Sequence, residues 1–128
     1  MKERIKLFSI GMKKMKANEV KDWNELIEEY APGMYDTINV VGEEESIKQI
    51  AKLRPEIILL SDKIKDGISL LMKIKQIHPQ VVIFIFLSMV GEQEVIDKYM
   101  AHGVYKCYEP PIVMDTLVHD MYVALNME

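Results

Sequence analysis

The feature that most constrains this chain is a set of short apolar runs that do not alternate with polar residues. The longest run, Val81–Leu87, has seven consecutive apolar residues, and Ile57–Leu60 forms a second run. Alternation is typical of a strand with one solvated face, whereas a continuous run of this length predicts a strand covered on both faces. Because a bilayer span needs about 20 apolar residues, these runs predict buried strands of a parallel sheet and no membrane segment.

Strands and helical patterns alternate along the whole chain. Each strand is followed by a helical pattern, and right-handed crossovers then give an α/β fold with a doubly wound, five-stranded parallel sheet. No linker, repeat or low-complexity segment interrupts the pattern, so residues 1–128 are predicted to form one domain. The five strands are predicted at Arg4–Ser9, Thr37–Val41, Glu56–Ser61, Val81–Leu87 and Val104–Tyr108.

The five helices carry apolar residues spaced three or four positions apart. Asn18 is predicted to cap the first helix and Glu43–Glu45 to begin the second. The third is predicted over Gly67–Ile77, with His78-Pro79 as its stop. The residues predicted to face inward are Val20, Trp23, Leu26, Ile27 and Tyr30; Ile47, Ile50, Ala51 and Leu53; Ile68, Leu71, Ile74 and Ile77; Val95, Ile96, Tyr99 and Met100; and Leu117, Val118, Met121 and Leu125.

Composition excludes several kinds of function. The formal net charge is −4, so the chain lacks the basic field that nucleic-acid binding usually needs, and we expect no direct nucleic-acid partner. Cys107 is the only cysteine, which excludes an intrachain disulfide and favours a reducing compartment, so we expect a cytoplasmic location. The apolar stretch Leu7–Ile10 is too short for a signal peptide.

The sequence also lacks the motifs of common α/β enzymes. It contains no phosphate-binding P-loop, no dinucleotide-binding glycine pattern, no zinc-protease motif and no nucleophile elbow. His78, His102 and His119 lie in three different segments without metal-ligand spacing, and are interpreted as helix-end or surface residues. These absences exclude those particular α/β chemistries.

A chain of short segments resembles the receiver domain of two-component response regulators. The match covers nearly the whole chain, although the first forty residues match only by pattern. The resemblance implies a flavodoxin-like, CheY-like (βα)5 fold with strand order 2-1-3-4-5 and a role in bacterial phosphorelay signalling. The segments that carry it are Val41-Gly42-Glu43, Leu53-Arg54-Pro55-Glu56, Asp66-Gly67-Ile68-Ser69-Leu70-Leu71, His78-Pro79, Phe86-Leu87-Ser88 and Ala101-His102-Gly103, with a proline after the fifth strand.

The resemblance also implies four kinds of site residue at the strand ends, and the chain departs from most of them. Receivers hold Mg²⁺ with an acidic pair after the first strand, but Ser9–Lys14 contains no acid. The phosphoacceptor aspartate falls on Ser61, with Asp62 one residue later. Because strand side chains alternate, Asp62 is expected to point to the other side unless a bulge re-aims it.

Of the two remaining positions, one matches the receiver residue and the other does not. Ser88 matches the hydroxyl that ends the fourth strand and contacts the phosphate in receivers. The lysine before the proline falls on Pro110 or Glu109, depending on the alignment, while Lys106 lies inside the predicted strand. The family often has a cis bond at this point, and the bond before Pro111 is the candidate.

These departures favour a pseudo-receiver, a receiver fold that has lost phosphotransfer and needs no cofactor. The resemblance also implies that the chain is not an enzyme, since a receiver at most accepts a phosphoryl group. The alternative is an unconventional receiver that accepts a phosphoryl group on Asp62 with Mg²⁺. Asp62 and Asp66 also have a plainer interpretation, as a loop residue and a helix-cap residue. A further hypothesis is that Lys13, Lys14 or Lys16 fills the emptied acidic pocket.

If phosphotransfer is lost, the domain can still act through contacts between its surface and other proteins. Receivers pair through the face of the fourth helix, fifth strand and fifth helix, so a homodimer, a protein partner or an output domain is expected there. Tyrosine is enriched at interfaces because it buries much area at low entropy cost. The chain could also be the N-terminal part of a longer protein. The candidate interface residues are Tyr99, His102, Tyr105, Tyr108, His119 and Tyr122.

Overall fold

The computed structural model describes residues 3–12, 22–89 and 91–126. Within these ranges, five strands alternate with five helices, in the order that the sequence predicts. The elements are β1 (Ile5–Ile10), α1 (Trp23–Tyr30), β2 (Tyr35–Val40), α2 (Glu43–Leu53), β3 (Ile57–Ser61), α3 (Gly67–Ile77), β4 (Val82–Phe86), α4 (Gln93–Ala101), β5 (Lys106–Tyr108) and α5 (Met114–Asn126).

All five strands join one parallel sheet in the order β2-β1-β3-β4-β5, which confirms the predicted fold class. The central strand β3 is buried along its whole length, as its uninterrupted apolar sequence predicts. In the registers that end it, Leu60 lies beside Ile10 of β1 and Ser61 beside Phe86 of β4. The carboxyl ends of β1, β3 and β4 therefore meet at one edge of the sheet.

The core consists of two layers, one on each face of the sheet. Leu7, Leu59 and Phe84 pack on one face with side chains of α1 and α5, including Trp23 and Met121. The alternate strand residues Phe8, Ile58 and Ile83 pack on the other face with side chains of α2, α3 and α4. This division follows from the two-residue period of a strand, and it explains why the central strands β3 and β4 carry uninterrupted apolar runs.

Several predicted inward-facing residues are exposed. Val95 and Met100 are 43% and 42% exposed, because they flank Ile96 and Tyr99, the two α4 residues that pack on the core. Ala51 and Tyr30 are also exposed, since each lies at the margin of its helix's buried stripe.

Several boundaries also differ from the prediction, and those of the strands differ by at most two residues. β5 begins at Lys106 rather than at Val104. The side chain of Asp22 accepts a hydrogen bond from the Glu25 amide and caps α1, while Asn18 and Val20 lie outside the described residues.

The three histidines lie at helix ends or on the surface, as the sequence predicts. His78 and His102 are the residues that end α3 and α4, and His119 is exposed on α5. The His78 ring also links the end of α3 to the residues before β3, because Nε2 lies 2.7 Å from the Pro55 carbonyl oxygen. A carbonyl only accepts, so Nε2 carries the proton and Nδ1 accepts from Arg54, 3.2 Å away.

Candidate functional site

The candidate site is the edge where β1, β3, β4 and β5 end, which is where doubly wound sheets bind ligands. Gly11 follows β1, Asp62 follows β3, Ser88 lies two residues after β4, and Glu109 follows β5. The sheet thus brings together the residues that the sequence singles out. The contacts among them show which of these side chains already have hydrogen-bond or packing partners.

The end of β1 is covered by an apolar side chain. Gly11 has a φ of +70°, and a Cβ built on it would lie 2.6 Å from Cγ1 of Ile64 and 2.9 Å from its Cδ1. Ile64 comes from the loop between β3 and α3 and packs against the core layer of α2, α3 and α4. The place where receivers carry carboxylates is therefore filled here by the side chain of an isoleucine.

The hydroxyl of Ser61 forms a hydrogen bond within its own loop. Ser61 is 1% exposed, and its Oγ accepts a hydrogen bond from the Lys63 amide at 3.0 Å. This side-chain-to-backbone turn is a common use of serine after a strand. The residue at the aligned acceptor position is thus a buried turn residue.

Asp62 lies beside Ser88. Both carboxylate oxygens of Asp62 are 3.1 Å from the Ser88 amide nitrogen, and the Ser88 hydroxyl donates to Oδ2 at 3.3 Å. β3 ends at Ser61, and Asp62 is the first residue of the turn that follows. The Asp62 carboxylate is directed to Ser88, whereas Cβ of Ser61 lies 3.6 Å from a Cβ built on Gly11, so the two side chains contact different parts of this edge. Asp66 is the residue before α3, with a φ of +55° and no side-chain capping bond.

No lysine among the described residues takes the place that the receiver lysine would have. Lys106, at the start of β5, pairs with Asp120 of α5 at 2.8 Å. Glu109 instead accepts a hydrogen bond from the Gly91 amide at 2.8 Å. The Pro110–Pro111 bond is cis, as the resemblance suggested.

Burial and acidic neighbours shape the ionisation of two groups near this edge. Burial, with the Glu109 carboxylate as a second cause, raises the pKa of the Cys107 thiol to about 11. Burial, followed by the charges of Asp62 and Cys107, also raises the pKa of the Tyr99 hydroxyl. Both groups are therefore neutral at physiological pH.

The described residues do not fit the Mg²⁺ ion that receiver chemistry uses. Magnesium needs several oxygen ligands near octahedral geometry. Gly11 and Met12 offer no carboxylate after β1, and Asp62 is engaged by Ser88. Across the described ranges, no cluster of three or more histidine, cysteine, aspartate or glutamate side chains could hold a metal. Lys13, Lys14 and Lys16 lie outside those ranges, so their proposed role stays a prediction.

A cleft of about 300 Å³ lies beside the covered end of β1. The Glu43 carboxylate at its rim is paired with Lys73 at 2.9 Å, so two lysines, Lys63 and Lys65, dominate its charge. This cleft is separate from the Asp62–Ser88 contact. Its lining residues are Ile10, Gly11, Val41, Gly42, Glu43, Lys63, Ile64, Lys65 and Leu70.

The six candidate interface residues differ in exposure. Tyr99 and Tyr108 are each 9% exposed and serve the core, so they offer little surface. Tyr105 and Tyr122 are 43% and 52% exposed, and His119 is exposed as well. His102 is half-buried. An interface role for the exposed members stays a prediction.

Sequence reasoning misses the two residues that do most at this edge, Ile64 and Glu109. Ile64 is the only apolar residue in the stretch from Asp62 to Asp66, and such an isolated residue is a signal for a side chain that turns back onto the protein. The sequence singles out Glu109 only as one of the two residues that align with the receiver lysine. Its bond to Gly91 depends on the path of a neighbouring loop, which no local sequence signal gives.

The comparisons with known proteins establish the fold. No protein-family model matches the sequence, and no curated protein matches it either. Among solved structures, a two-component response regulator from Clostridium difficile has a TM-score of 0.78 at 18% identity, with 96% of this chain and 97% of that one covered. A response regulator receiver domain protein from Clostridium thermocellum gives 0.78 at 16%, with coverage of 96% and 95%.

A third structure, a response regulator from Thermotoga maritima, gives a TM-score of 0.77 at 10% identity, with 97% of this chain and 99% of that one covered. Similarity of this kind, over nearly the full length of both chains, shows that the chain has the CheY-like receiver fold. The identities are too low to transfer the chemistry of the relatives. Over the described ranges, no helix is long and apolar enough to cross a membrane.

Proposed function

We propose that this chain is a receiver-fold signalling domain that has lost phosphotransfer and acts through contacts with proteins. The observation that carries the proposal is the contact between Ile64 and Gly11 at the end of β1. Phosphoryl transfer depends on positioning and on neutralising the charge of the phosphoryl oxygens. An apolar side chain at this position does neither.

The other strand ends support the same conclusion. Ser61 is a buried hydroxyl that accepts from the Lys63 amide, and no general base is described beside it. Glu109 places a carboxylate where an incoming phosphate would meet repulsion rather than a donor. Three of the four positions that receivers use are therefore unsuited to holding a phosphoryl group.

The first test is an NMR titration with Mg²⁺ followed by beryllofluoride, which imitates a phosphoryl group on a carboxylate. We expect no saturable shift of the Ser61, Asp62 or Ser88 amides at millimolar Mg²⁺, because the described residues offer no magnesium site. The Asp62→Asn variant is the control for shifts that arise elsewhere. Saturable shifts that depend on Asp62 and spread to Tyr105–Tyr108 would overturn the proposal.

A second candidate function is an unconventional receiver that accepts a phosphoryl group on Asp62. The contact of 3.3 Å between the Ser88 hydroxyl and Asp62 favours it, because it joins a carboxylate to a hydroxyl at the end of β4. Intact-mass analysis after incubation with a small phosphodonor distinguishes the two candidates. A phosphoryl adduct that Asp62→Asn abolishes would support the second.

The proposed contact surface is the exposed face of α4, β5 and α5. Tyr105 and Tyr122 lie on it, with large side chains that are about half exposed. Each side chain offers an aromatic ring with a polar tip, the combination that protein interfaces favour. We propose that this face binds a second copy of the chain, a separate protein partner or an output domain.

Self-association through this face is testable by substitution. If the face forms a homodimer, Tyr105→Ser and Tyr122→Ser should each weaken the dimer about tenfold, since large aromatic anchors dominate such interfaces. Sedimentation equilibrium measures the dissociation constant. Tyr30→Ser is a matched control, because Tyr30 has the same 43% exposure as Tyr105 but lies on α1. Equal effects of all three substitutions would contradict a specific interface here.

A further inference from the structure

The connection between β4 and α4 is held from both sides by carboxylates. It runs over residues 87–92, of which Val90 lies outside the described residues. The last strand-like bond is donated by the Leu87 amide to the Tyr108 carbonyl at 2.8 Å. Beyond that point the backbone leaves the sheet, so its amides need other acceptors.

The first acceptor comes from the β3 side. The Asp62 amide donates to the Phe86 carbonyl at 3.0 Å, and this bond continues the β3–β4 ladder by one step. The Ser88 amide then meets the side chain of Asp62, with both carboxylate oxygens 3.1 Å away. Because a hydrogen bond to a charged acceptor is about twice as strong as a neutral one, this carboxylate is an effective anchor.

The second acceptor comes from the β5 side. Glu109 follows β5 and accepts from the Gly91 amide at 2.8 Å, three residues after Ser88. The two anchors thus arise from the strands on either side of β4. Between the two anchors, the side chain of Met89 is 70% exposed to solvent.

Packing at Gly91 shows that the connection folds back on its own start. A Cβ built on Gly91 would lie 2.7 Å from Cδ1 of Leu87, a side chain that is 1% exposed. Glycine is therefore required for the close approach of the two ends. This contact places the Gly91 amide within reach of Glu109 while Leu87 stays in the core.

We propose that Asp62 and Glu109 are positioning residues that together clamp the β4–α4 connection at two of its described residues, Ser88 and Gly91. The clamp acts on Ser88 and Gly91 directly and fixes the exposed Met89 between them. It gives Asp62 a role that needs neither metal nor phosphoryl group. The inference goes beyond the loss of phosphotransfer, and it does not depend on which partner the domain binds.

Amide hydrogen exchange at constant pH tests the clamp. Asp62→Ala should speed exchange of the Ser88 amide about tenfold, and Glu109→Ala should do the same for Gly91, as expected for the loss of a hydrogen bond to a charged group. Because one clamp is proposed, each substitution should also speed exchange of the other amide, about threefold. Asp62→Asn and Glu109→Gln keep one acceptor oxygen and should restore part of the protection.

Two controls make the result specific. Glu92→Ala removes the same charge from the same connection, and Glu92 makes no side-chain capping bond, so it should change neither amide by more than the shift in intrinsic exchange. Buried β3 amides should keep their protection in every variant, which shows that the sheet is intact. If each substitution affects only its own amide, the carboxylates are two independent caps and the clamp is wrong.

The clamp and the proposed function fail in different experiments. Uncoupled exchange at Ser88 and Gly91 would remove the clamp without restoring phosphotransfer. Saturable beryllofluoride shifts would restore phosphotransfer whether or not the two amides are coupled.

Discussion

Gly11→Ala is expected to destabilise the protein by about 3 kcal/mol, of which about 1 comes from the left-handed backbone and about 2 from overpacking. The φ of Gly11 is +70°, a region that side chains with a Cβ rarely adopt. The added methyl group would also lie 2.6 Å from Cγ1 of Ile64, so the isoleucine or its loop has to move. Urea denaturation measures the loss.

A double-mutant cycle separates the two causes. In an Ile64→Ala background the two close contacts disappear and the Ser61 Cβ, at 3.6 Å, is an ordinary van der Waals neighbour, so Gly11→Ala should cost only about 1 kcal/mol, a coupling of about 2 kcal/mol. Gly33→Ala is the matched control, because Gly33 has a φ of +73° and a Cβ added there would meet no atom within 4 Å. A cost for Gly11→Ala that is the same in both backgrounds would show that Ile64 does not fill this space.

The cycle bears directly on the proposed function. Ile64 reaches the end of β1 only because Gly11 has no side chain, so glycine and isoleucine depend on each other there. A carboxylate in place of Gly11 would have to displace Ile64 from its packing against the core. Restoring a metal site would therefore require changes in two loops, since the loop after β1 and the loop after β3 now fit each other.

The sheet could be predicted from the sequence because its signal is local and redundant. Every residue of Ile57–Leu60 is buried and both faces of the strand are covered, as a short apolar run between turn residues predicts. The helix faces were harder to predict. Val95 and Met100 are apolar and correctly spaced, yet solvent reaches them, because the width of a helix's contact depends on its neighbours rather than on its own period.

The site could be predicted in position but not in its contacts. Alignment brought Ser61, Asp62 and Ser88 to one edge, and the structure places them there. The direction of the Asp62 side chain depended on whether β3 ends before or after it, and strand ends are set by tertiary contacts. The contact of Ile64 with Gly11 joins residues far apart in sequence, so no local pattern carries it.

Asp120 of α5 is the centre of a second polar contact, which ties the helix to β5. Its Oδ2 accepts from the Tyr108 hydroxyl at 2.6 Å and from Lys106 Nζ at 2.8 Å. The Tyr108 ring stacks on Phe86, with centroids 5.2 Å apart, and is 9% exposed. Asp120 is thus the described acceptor for a hydroxyl that has little access to water.

Asp120→Ala is expected to destabilise the protein by about 2 kcal/mol, the typical cost of leaving a buried donor without its acceptor. The ion pair with Lys106 adds little, because the Lys106 side chain is 46% exposed and solvent-accessible pairs are worth at most about 1 kcal/mol. Asp115→Ala, on the exposed first turn of α5, is the control for loss of charge from the same helix. Equal urea midpoints for the two variants would show that Asp120 does not support Tyr108.

The same contact predicts a pH dependence with a definite sign. Burial works to raise the pKa of Asp120, but the hydrogen bonds from Lys106 and Tyr108, with the charges of Lys106 and His119, outweigh it and lower the pKa. A carboxyl group whose pKa is lowered by folding stabilises the protein above its unfolded pKa of about 3.9. That contribution to stability decreases as the pH falls from the unfolded pKa through the lower pKa that Asp120 has in the folded protein. The stability gap between wild type and Asp120→Asn, measured by urea denaturation, should therefore be present at about pH 5 and narrow below about pH 4. A gap that stays constant down to pH 2 would show that the carboxylate charge makes no contribution to stability, and that only the shape of the side chain matters.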